Sequence, residues 1–586
     1  MAQSDARFGY HAKLNREDHN LSQPLGFTCA PGMLLPVFCD IATPGDTYYI
    51  HHDLNFMRTA PLIAPSMIDV KVHYDSYFVP MQMLFQPFEN AQFSLQEILS
   101  SNYSVAQFRN QELPRMDYLE VMREIGAGSD VLTQERLEAY RLFNMLDLPC
   151  DSFCGKTAVA GTVGTGFPWQ LATYQCIWQH IFRLDDKDSF DHDCFNMDRF
   201  YNSADTITSN YSSVQNMFRL RYRPWAFDYF TSSYRSPIVS NAGTQGILPP
   251  SIYTPFTSLN GRGQTLPVKN NGSSADLSNE SIVGYSSSMY SSYNQNIEQF
   301  QISTAMIRQM FANEKLAMIT GRTKKNYDSQ VLAHFGVKVP HDVKHDVSFI
   351  GHDEFTLKIG EVTSLASTDA SPLGELAGKG WALGQGERKK FTAPCHGVVM
   401  TLFSVEPMVR YEDTTSRLAF ITNTMQLPQP EFDRLGNEPM FGREIARSSG
   451  SLTDIVAWKE RYYAFKRRYP RVTKAFNHQG KQVNKNNYSA YFIHMHPFGA
   501  SPQSYSLPNS ASSYYINPFC MNDLMLVNYI AIWQDGGESQ GQTGEDWDAV
   551  DSEHLPFARD PFIVDSNVRV KKVSWMSKDG EPIYPY

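Results

Sequence analysis

The residues best suited to do chemistry lie between positions 458 and 474, where cations alternate with aromatic side chains. The sequence of this basic segment is WKERYYAFKRRYPRVTK. Ammonium and guanidinium groups neutralise phosphates, and aromatic rings stack on unpaired bases. The segment therefore predicts a site for single-stranded nucleic acid. Its candidate ligands are Lys459, Arg461, Lys466, Arg467, Arg468, Arg471 and Lys474.

The basic segment admits a second interpretation. Its aromatic residues Trp458, Tyr462, Phe465 and Tyr469 could anchor a contact between subunits, while its arginines pair with acidic neighbours. Aromatic residues and arginine are enriched at protein interfaces, so the same composition suits this role. The sequence leaves the nucleic-acid site and the subunit interface open as alternatives.

Motifs that would indicate an enzyme fail on spacing. Residues 153–157 read FCGKT, but a phosphate-binding loop needs a glycine five places before its Gly-Lys pair, and position 150 is Cys. The glycines within 161–166 do not open a βαβ unit. The chain contains no HExxH motif. We predict a protein that is not an enzyme, has no catalytic residue and uses no cofactor.

Candidate metal ligands are present but poorly spaced. Structural zinc sites usually have closer paired ligands, and His494 and His496 would share one face of a strand without an indicated third ligand. We predict no metal site, and we expect the eight cysteines to be reduced and mostly buried. The best zinc candidates among the remaining residues are Cys150, Cys154, His192 and Cys194.

Composition limits the function classes. The 586-residue chain has 51 Lys and Arg against 61 Asp and Glu, and its net charge of -10 argues against coating nucleic acid with the whole surface. Aromatic residues make up 13% of the chain, which suits extensive subunit contacts. The sequence predicts no membrane span and no export signal.

Alternating patterns predict the strands that must position these residues. Apolar and polar residues alternate from Asp69 to Phe78, which predicts a half-buried strand about ten residues long. His396 to Arg410 is apolar on both sides and predicts a central strand packed on both faces. Another alternation runs from Phe562 to Lys571. Strands so far apart in sequence predict one sheet assembled from distant pieces, as in a jelly roll with insertions.

The remaining stretches divide the chain into an arm, one main domain and insertions within that domain. Trp169 to Phe182 is the clearest helix, because apolar residues recur there at three- and four-residue steps. Polar segments rich in Ser and Asn cannot bury a core alone. The predicted parts are the N-terminal arm 1–30, the main domain 31–586, its helical insertion 81–200, the exposed loop 246–293 and the extended C-terminal tail 574–586.

Short motifs follow one another in a fixed order along the chain. In order and spacing they resemble the major capsid proteins of the Microviridae, especially those of the gokushovirus type. The basic segment resembles a further family stretch, with Phe465 where a tyrosine is expected. The other motifs are NREDH at 15–19, LPV at 35–37, PGDT at 44–47, MRTAP at 57–61, YFVP at 77–80, DYFTS at 228–232 and HFGV at 334–337.

The resemblance implies a fold and a function. The fold is an eight-stranded antiparallel jelly roll, the β-sandwich of viral capsids, enlarged by helical and loop insertions. The function is that of a major capsid protein that assembles with itself into a T=1 icosahedral shell around the circular single-stranded DNA genome of a small bacteriophage. Implied further partners are a minor capsid or pilot protein, an internal scaffolding protein and a host receptor. The protein would be synthesised in the host cytoplasm and reside in the virion.

A carbohydrate-binding or carbohydrate-active β-sandwich is the alternative, because aromatic-rich loops also serve sugar recognition. A glycosidase would need paired carboxylates on a concave face, and the sequence offers no such pair. Sedimentation separates the two functions, since a shell protein forms a megadalton particle and a lectin does not.

Overall fold

A computed structural model gives the fold. It describes residues 16–59, 70–85, 116–118, 134–149, 165–184, 189–197, 215–224, 226–230, 232–234, 311–313, 315–316, 318–320, 323, 327–337, 346–363, 376–408, 410–411, 414–433, 436–445, 455–471, 473, 494–495 and 562–576.

Strands make up most of the regular structure in these ranges. They are β1 (Glu17–Asn20), β2 (Gln23–Cys29), β3 (Leu35–Ala42), β4 (Thr47–Thr59), β5 (Val70–Pro80), β6 (Met116–Asp117), β7 (Thr165–Gly166), β8 (Ser348–Thr363), β9 (Leu376–Gln385), β10 (Lys389–Thr392), β11 (Gly397–Pro407), β12 (Arg410–Tyr411), β13 (Asn437–Phe441), β14 (Ile455–Glu460), β15 (His494–Met495) and β16 (Phe562–Ser574).

Helices are short and lie between the strands. A π-helical turn at Trp178–Phe182 continues the helix Trp169–Ile177. The α-helices are Met81–Leu84, Gln134–Met145, Trp169–Ile177, Tyr327–Phe335, Gly442–Ile445 and Tyr463–Lys466. The 3-10 turns are His192–Cys194, Gln215–Met217, Arg417–Phe420, Thr424–Gln426 and Pro430–Phe432.

One antiparallel sheet of ten strands organises the described residues. Its order is β1-β16-β4-β9-β8-β5-β11-β3, with β10 added to β4 and β2 added to β16. Strand β16, near the end of the sequence, pairs with β4 from Phe562 opposite Thr59 to Val573 opposite Thr47. Distant segments therefore build one sheet, which confirms the predicted mainly β fold. Three two-stranded sheets, β12 with β15, β13 with β14 and β6 with β7, stand apart from it.

The large sheet curls so that strands far apart in its order face each other. Lys572 of β16 donates from Nζ to Oδ2 of Asp40 on β3 at 2.9 Å, although β3 and β16 lie near opposite ends of the order. Tyr74 of β5 likewise donates to Oγ of Ser566 on β16 at 2.7 Å. The result is a half-barrel with apolar side chains inside it, which is compatible with the predicted jelly-roll sandwich.

Strand β11 is the central strand that the sequence predicts between His396 and Arg410. It pairs with β3 on one side and β5 on the other, and every residue from Gly397 to Pro407 is buried. An apolar run without alternation is what such an environment requires, because both faces of the strand meet protein.

Strand β5 occupies the predicted position but is not half-buried. The polar side of its alternation is also covered, with His73, Asp75 and Tyr77 each at most 5% exposed. Phe182 of the helical insertion covers Tyr77, with ring centroids 6.0 Å apart, and Arg223 covers Asp75. Alternation correctly predicted the strand, but the partner for its polar face comes from a distant segment.

Two further predictions can be compared with the described residues. The predicted helix Trp169 to Phe182 is confirmed, with its last turn widened into a π-helix. Within the predicted N-terminal arm 1–30, residues 17–20 and 23–29 form β1 and β2 against β16. The open edge of β16 supplies backbone partners that sequence patterning does not reveal. The loop 246–293 and residues 577–586 of the tail lie outside the described residues.

Candidate nucleic-acid interface and buried ionic clusters

The basic segment begins as a strand and continues as a short helix. Its first residues belong to β14, where Trp458 lies opposite Pro439 of β13. The chain then turns at Tyr462, whose φ of 61° is left-handed, and enters the helix Tyr463–Lys466. This turn places the cations before and after Tyr462 in different surroundings.

The first two cations of the segment point into the protein. Lys459 is 4% exposed and donates from Nζ to Oγ of Ser232 at 2.7 Å. Arg461 is half-buried, with its guanidinium 5.4 Å from the ring centroid of Tyr462. A buried ammonium held by a hydroxyl group is a structural contact, so a phosphate does not reach Lys459 in this conformation.

The later cations lie at the surface. Arg467, Arg468 and Arg471 are exposed, and Lys466 is exposed but forms an ion pair with Oδ1 of Asp433 at 2.5 Å. Arg467 also donates to Oγ of Ser232 at 3.2 Å. Lys474 lies outside the described residues. The exposed part of the predicted site is therefore the arginine patch, which we define as Arg467, Arg468 and Arg471.

The aromatic rings of the segment divide in the same way. Tyr463 is buried and Tyr469 is half-buried, and both pack on Tyr229, with ring centroids 5.2 Å and 4.9 Å apart. Phe465 is 41% exposed beside the arginine patch. Tyr463 and Tyr469 thus anchor the segment within its own chain, and Phe465 remains available to a base or to another subunit.

The segment at 226–234, which carries the DYFTS motif, is the main partner of the basic segment. Tyr234 and Trp458 exchange backbone hydrogen bonds of 2.8 Å and 2.9 Å. Phe230 packs on Tyr411 and Tyr469, with ring centroids 4.8 Å and 4.9 Å apart. The DYFTS motif and the basic segment therefore form one aromatic cluster, although they lie more than two hundred residues apart in the sequence. Lys459 and Ser232, which are in contact, are separated by 227 residues.

Buried hydroxyl groups in this cluster are paired with carboxylates. Tyr411 donates to Oδ2 of Asp228, and Tyr463 donates to Oε2 of Glu444. Burial and the neighbouring Asp228 raise the pKa of Tyr411 well above its usual value. Burial and Glu444 raise the pKa of Tyr463 in the same way. Both phenols therefore stay protonated, which keeps them hydrogen-bond donors.

A polar chain crosses the interior of the curled sheet. His52 lies 2.8 Å from Oδ2 of Asp353 through Nδ1 and 2.7 Å from Oγ of Ser76 through Nε2. Ser76 in turn lies 2.8 Å from the hydroxyl of Thr401. This connectivity is that of a Ser-His-Asp relay, but Ser76 is fully buried and its hydroxyl lies out of reach of a substrate. The chain ties β4, β5, β8 and β11 together.

A second ionic cluster lies on the other face of β5. Arg223 donates from Nη1 to Oδ2 of Asp75 at 2.8 Å and to Ser404 at 3.1 Å. Burial alone would raise the pKa of Asp75, but hydrogen bonds from His352 and Arg223 outweigh it and lower the pKa. The hydrogen bond to Asp75 raises the pKa of His352. Sequence reasoning missed this cluster, although two titratable residues on one side of a strand were its signal.

The predicted zinc candidates do not show a common site in the described residues. Cys194 is buried and accepts a hydrogen bond from Gln179, and burial raises its pKa to about 11. His192 packs against the ring of Phe195 at 5.0 Å. Cys150, Cys154 and His496 lie outside the described residues. The described cysteines, Cys29, Cys39, Cys176, Cys194 and Cys395, are free thiols.

Comparison with known proteins agrees with this structure. None of the described helices is long and apolar enough to cross a bilayer. No curated protein matches the chain at a significant level. A family model described as capsid protein (F protein) matches residues 10–108 and 149–494, which include the DYFTS motif and the whole basic segment. Because that match covers most of the sequence, the chain belongs to the F-type phage capsid protein family, the family of the Microviridae major capsid proteins.

Proposed function

We propose that the chain is the major capsid protein of a small bacteriophage, assembles with itself into a T=1 icosahedral shell and encloses a circular single-stranded DNA genome. The family match carries this proposal. Membership of a capsid protein family means that the protein is structural, assembles into a capsid and resides in the virion. The shell symmetry and the nature of the genome are the parts that require testing.

Apolar side chains on the outside of the sheet support contacts between copies. Phe349, Trp381, Leu383 and Ile563 are each at least 40% exposed and lie on strands rather than on loops. Exposed apolar groups on a rigid surface favour protein contacts, and closed symmetry fixes the number of copies in a shell. Many moderate interfaces of this kind give a stable shell without one dominant contact.

The arginine patch supports contact with DNA. Its guanidinium groups lie at the surface on an extended chain after the helix Tyr463–Lys466, with Phe465 nearby. Three cations and one exposed ring match the requirements of single-stranded DNA, which presents phosphates and unstacked bases together. We place this patch on the inner surface of the shell.

The remaining partners rest on the family resemblance. They are a minor capsid or pilot protein, an internal scaffolding protein and a host surface receptor that meets the loop 246–293. Synthesis takes place in the host cytoplasm. Deleting the loop should abolish attachment to host cells while shells still assemble, and unchanged attachment would remove the loop from this role.

Sedimentation of the purified full-length chain tests assembly. We expect a particle of megadalton mass, whose symmetry negative-stain images then show. A chain that stays monomeric at every concentration, in the presence and absence of single-stranded DNA, would overturn the shell proposal.

Packaging tests the DNA role separately. The double variant Arg467→Gln/Arg468→Gln should assemble but package less DNA, measured as the ratio of nucleic acid to protein in purified shells. Normal packaging by this variant would favour the subunit-interface interpretation of the segment.

A further inference from the structure

Two histidines and a carboxylate converge where β5 and β8 lie side by side. In the antiparallel register His73 lies opposite Glu354, and Asp75 lies opposite His352. One ligand atom each from His73, His352 and Glu354 lies within 4.8 Å of the other two. Two imidazoles and a carboxylate form a donor set that divalent transition metals, zinc above all, bind in proteins.

His73 is the residue that suggests a missing ligand. Its side chain is 5% exposed, yet neither ring nitrogen makes a hydrogen bond. Nε2 lies 3.0 Å from Oε2 of Glu406, but off the direction of a hydrogen bond, and Nδ1 lies 3.9 Å from Oε2 of Glu354. A buried ring nitrogen without a hydrogen-bond partner costs free energy, and a cation between Nδ1 of His73 and Glu354 would remove that cost.

A carboxylate lies beside one ring nitrogen of each of the two histidines. Nδ1 of His352 lies 2.7 Å from Oδ1 of Asp75, which leaves Nε2 of His352 for a ligand. Oε2 of Glu406 lies 3.0 Å from Nε2 of His73 without the direction of a hydrogen bond, and Nδ1 is the nitrogen that faces Glu354. Arg223 in turn fixes Asp75. Metal-binding histidines almost always use their second nitrogen in this way.

We propose that His73, His352 and Glu354 bind a divalent transition-metal ion of the zinc type. Zinc ligands in a tetrahedral site lie about 3.3 Å apart, and the rings of His73 and His352 are stacked with centroids 5.3 Å apart, so the partly exposed His352 must turn and the side chains must move together to bind one ion. Glu354 can make that movement, because its side chain is 39% exposed. Lys71 holds Oε1 of Glu354 at 2.9 Å, and Oε2 is the oxygen that faces His73. A water molecule fills the fourth position.

Such an ion would clip β5 to β8 at the centre of the large sheet. Because the site exists only in the folded chain, the metal would stabilise the fold by an amount that grows with its free concentration. The proposal does not depend on DNA packaging or on shell symmetry, so the unassembled chain is sufficient to test it.

The test is a titration of the metal-stripped full-length chain with Co²⁺, whose visible absorption reports nitrogen and oxygen ligands, followed by competition with Zn²⁺. We expect the wild-type chain to bind, and Glu354→Gln to weaken binding by on the order of a hundredfold, since it removes a ligand. Lys71→Met should tighten binding up to roughly fivefold, because it removes a cation that competes for Glu354.

The control is Glu431→Gln, which removes an exposed carboxylate far along the chain and should bind as the wild type does. Far-UV circular dichroism checks that Glu354→Gln is folded, and the partly exposed His352→Gln provides a second loss-of-ligand variant. Equal Co²⁺ binding by the wild type and both ligand variants would overturn the proposal, as would a wild-type chain without the absorption band. If the Lys71–Glu354 ion pair were purely structural, the variant Lys71→Met would not bind Co²⁺ more tightly than the wild type.

Discussion

The two halves of the basic segment have similar composition and opposite surroundings. From 458 to 464 the chain buries Lys459, Tyr462 and Tyr463 against its own core. From 465 to 471 it exposes Phe465 and the arginine patch, and only Tyr469 turns inward. The helix Tyr463–Lys466, which follows a left-handed turn at Tyr462, spans the boundary between them. We call them the inner half and the outer half.

The difference shows that a cation beside an aromatic ring in the sequence does not by itself indicate whether the pair is buried or exposed. In the inner half the rings contribute buried area, and the ammonium of Lys459 is held by Ser232. In the outer half the same residue types keep their charge in water, where they attract phosphates over a distance set by salt. The buried aromatic residues of the segment thus act inside one chain, and the nucleic-acid and subunit-interface interpretations of its exposed residues both stay predictions.

Removing a buried ring should give the largest effect. Tyr463→Ala should lower the free energy of unfolding by about 3–5 kcal/mol, because it leaves a cavity among Tyr229, Arg417 and Glu444. Phe465→Ala, the matched change in the outer half, should cost less than about 1 kcal/mol, because Phe465 is 41% exposed. Urea denaturation of the unassembled chain measures both, and equal losses would abolish the distinction between the halves.

Removing the carboxylate of Asp228, in the aromatic cluster beside the basic segment, should give the next largest loss of stability. Asp228→Ala should cost about 1–3 kcal/mol, since it leaves the buried hydroxyl of Tyr411 without its acceptor. Tyr411→Phe should cost about 1 kcal/mol alone and clearly less in the Asp228→Ala background. A double-mutant cycle in urea gives the interaction energy. Additive losses would show that the two side chains do not act as a pair.

Low pH should also destabilise the chain through a buried group elsewhere in the sheet. Burial lowers the pKa of His52, although Asp353 opposes the shift. The folded chain therefore resists protonation at His52, while the unfolded chain takes up a proton below about pH 6.5. The contribution of His52 to the free energy of unfolding is therefore fully present above that pH. It falls as the pH drops, by at most about 1.4 kcal/mol per pH unit.

The variant His52→Gln isolates that contribution. The slope of its unfolding free energy against pH should be less positive than that of the wild type between about pH 6.5 and 5. The variant must be compared with the wild type because His352 has a raised pKa, which adds stability as the pH falls. This contribution opposes that of His52 in the total dependence of stability on pH. Identical slopes for the two chains would mean that His52 does not stay neutral in the fold.

The sequence predicted strands whose pattern is local and failed where a partner is distant. Uniform apolarity predicted β11, and alternation predicted β5 and β16, because the side chains of each strand reflect whether its two faces are buried. The cover over His73 and Asp75 was not predictable, because Arg223 lies 148 residues from Asp75. Charge density likewise located the basic segment, but it could not tell Lys459 from Arg467, because the turn at Tyr462 and the burial of Lys459 depend on tertiary structure.

The arginine patch should give the smallest change in stability and a clear change in binding. Arg467→Gln/Arg468→Gln should alter the free energy of unfolding by less than about 0.5 kcal/mol, because both side chains are exposed. It should also reduce the salt dependence of binding to single-stranded DNA, by about 0.7 in the log-log slope for each phosphate that the variant no longer neutralises. Lys466→Gln is the matched control, since Asp433 already neutralises that cation. If Lys466→Gln lowered the slope as much as the double variant, exposure alone would not distinguish the cations that bind DNA, and the outer half would lose its separate role.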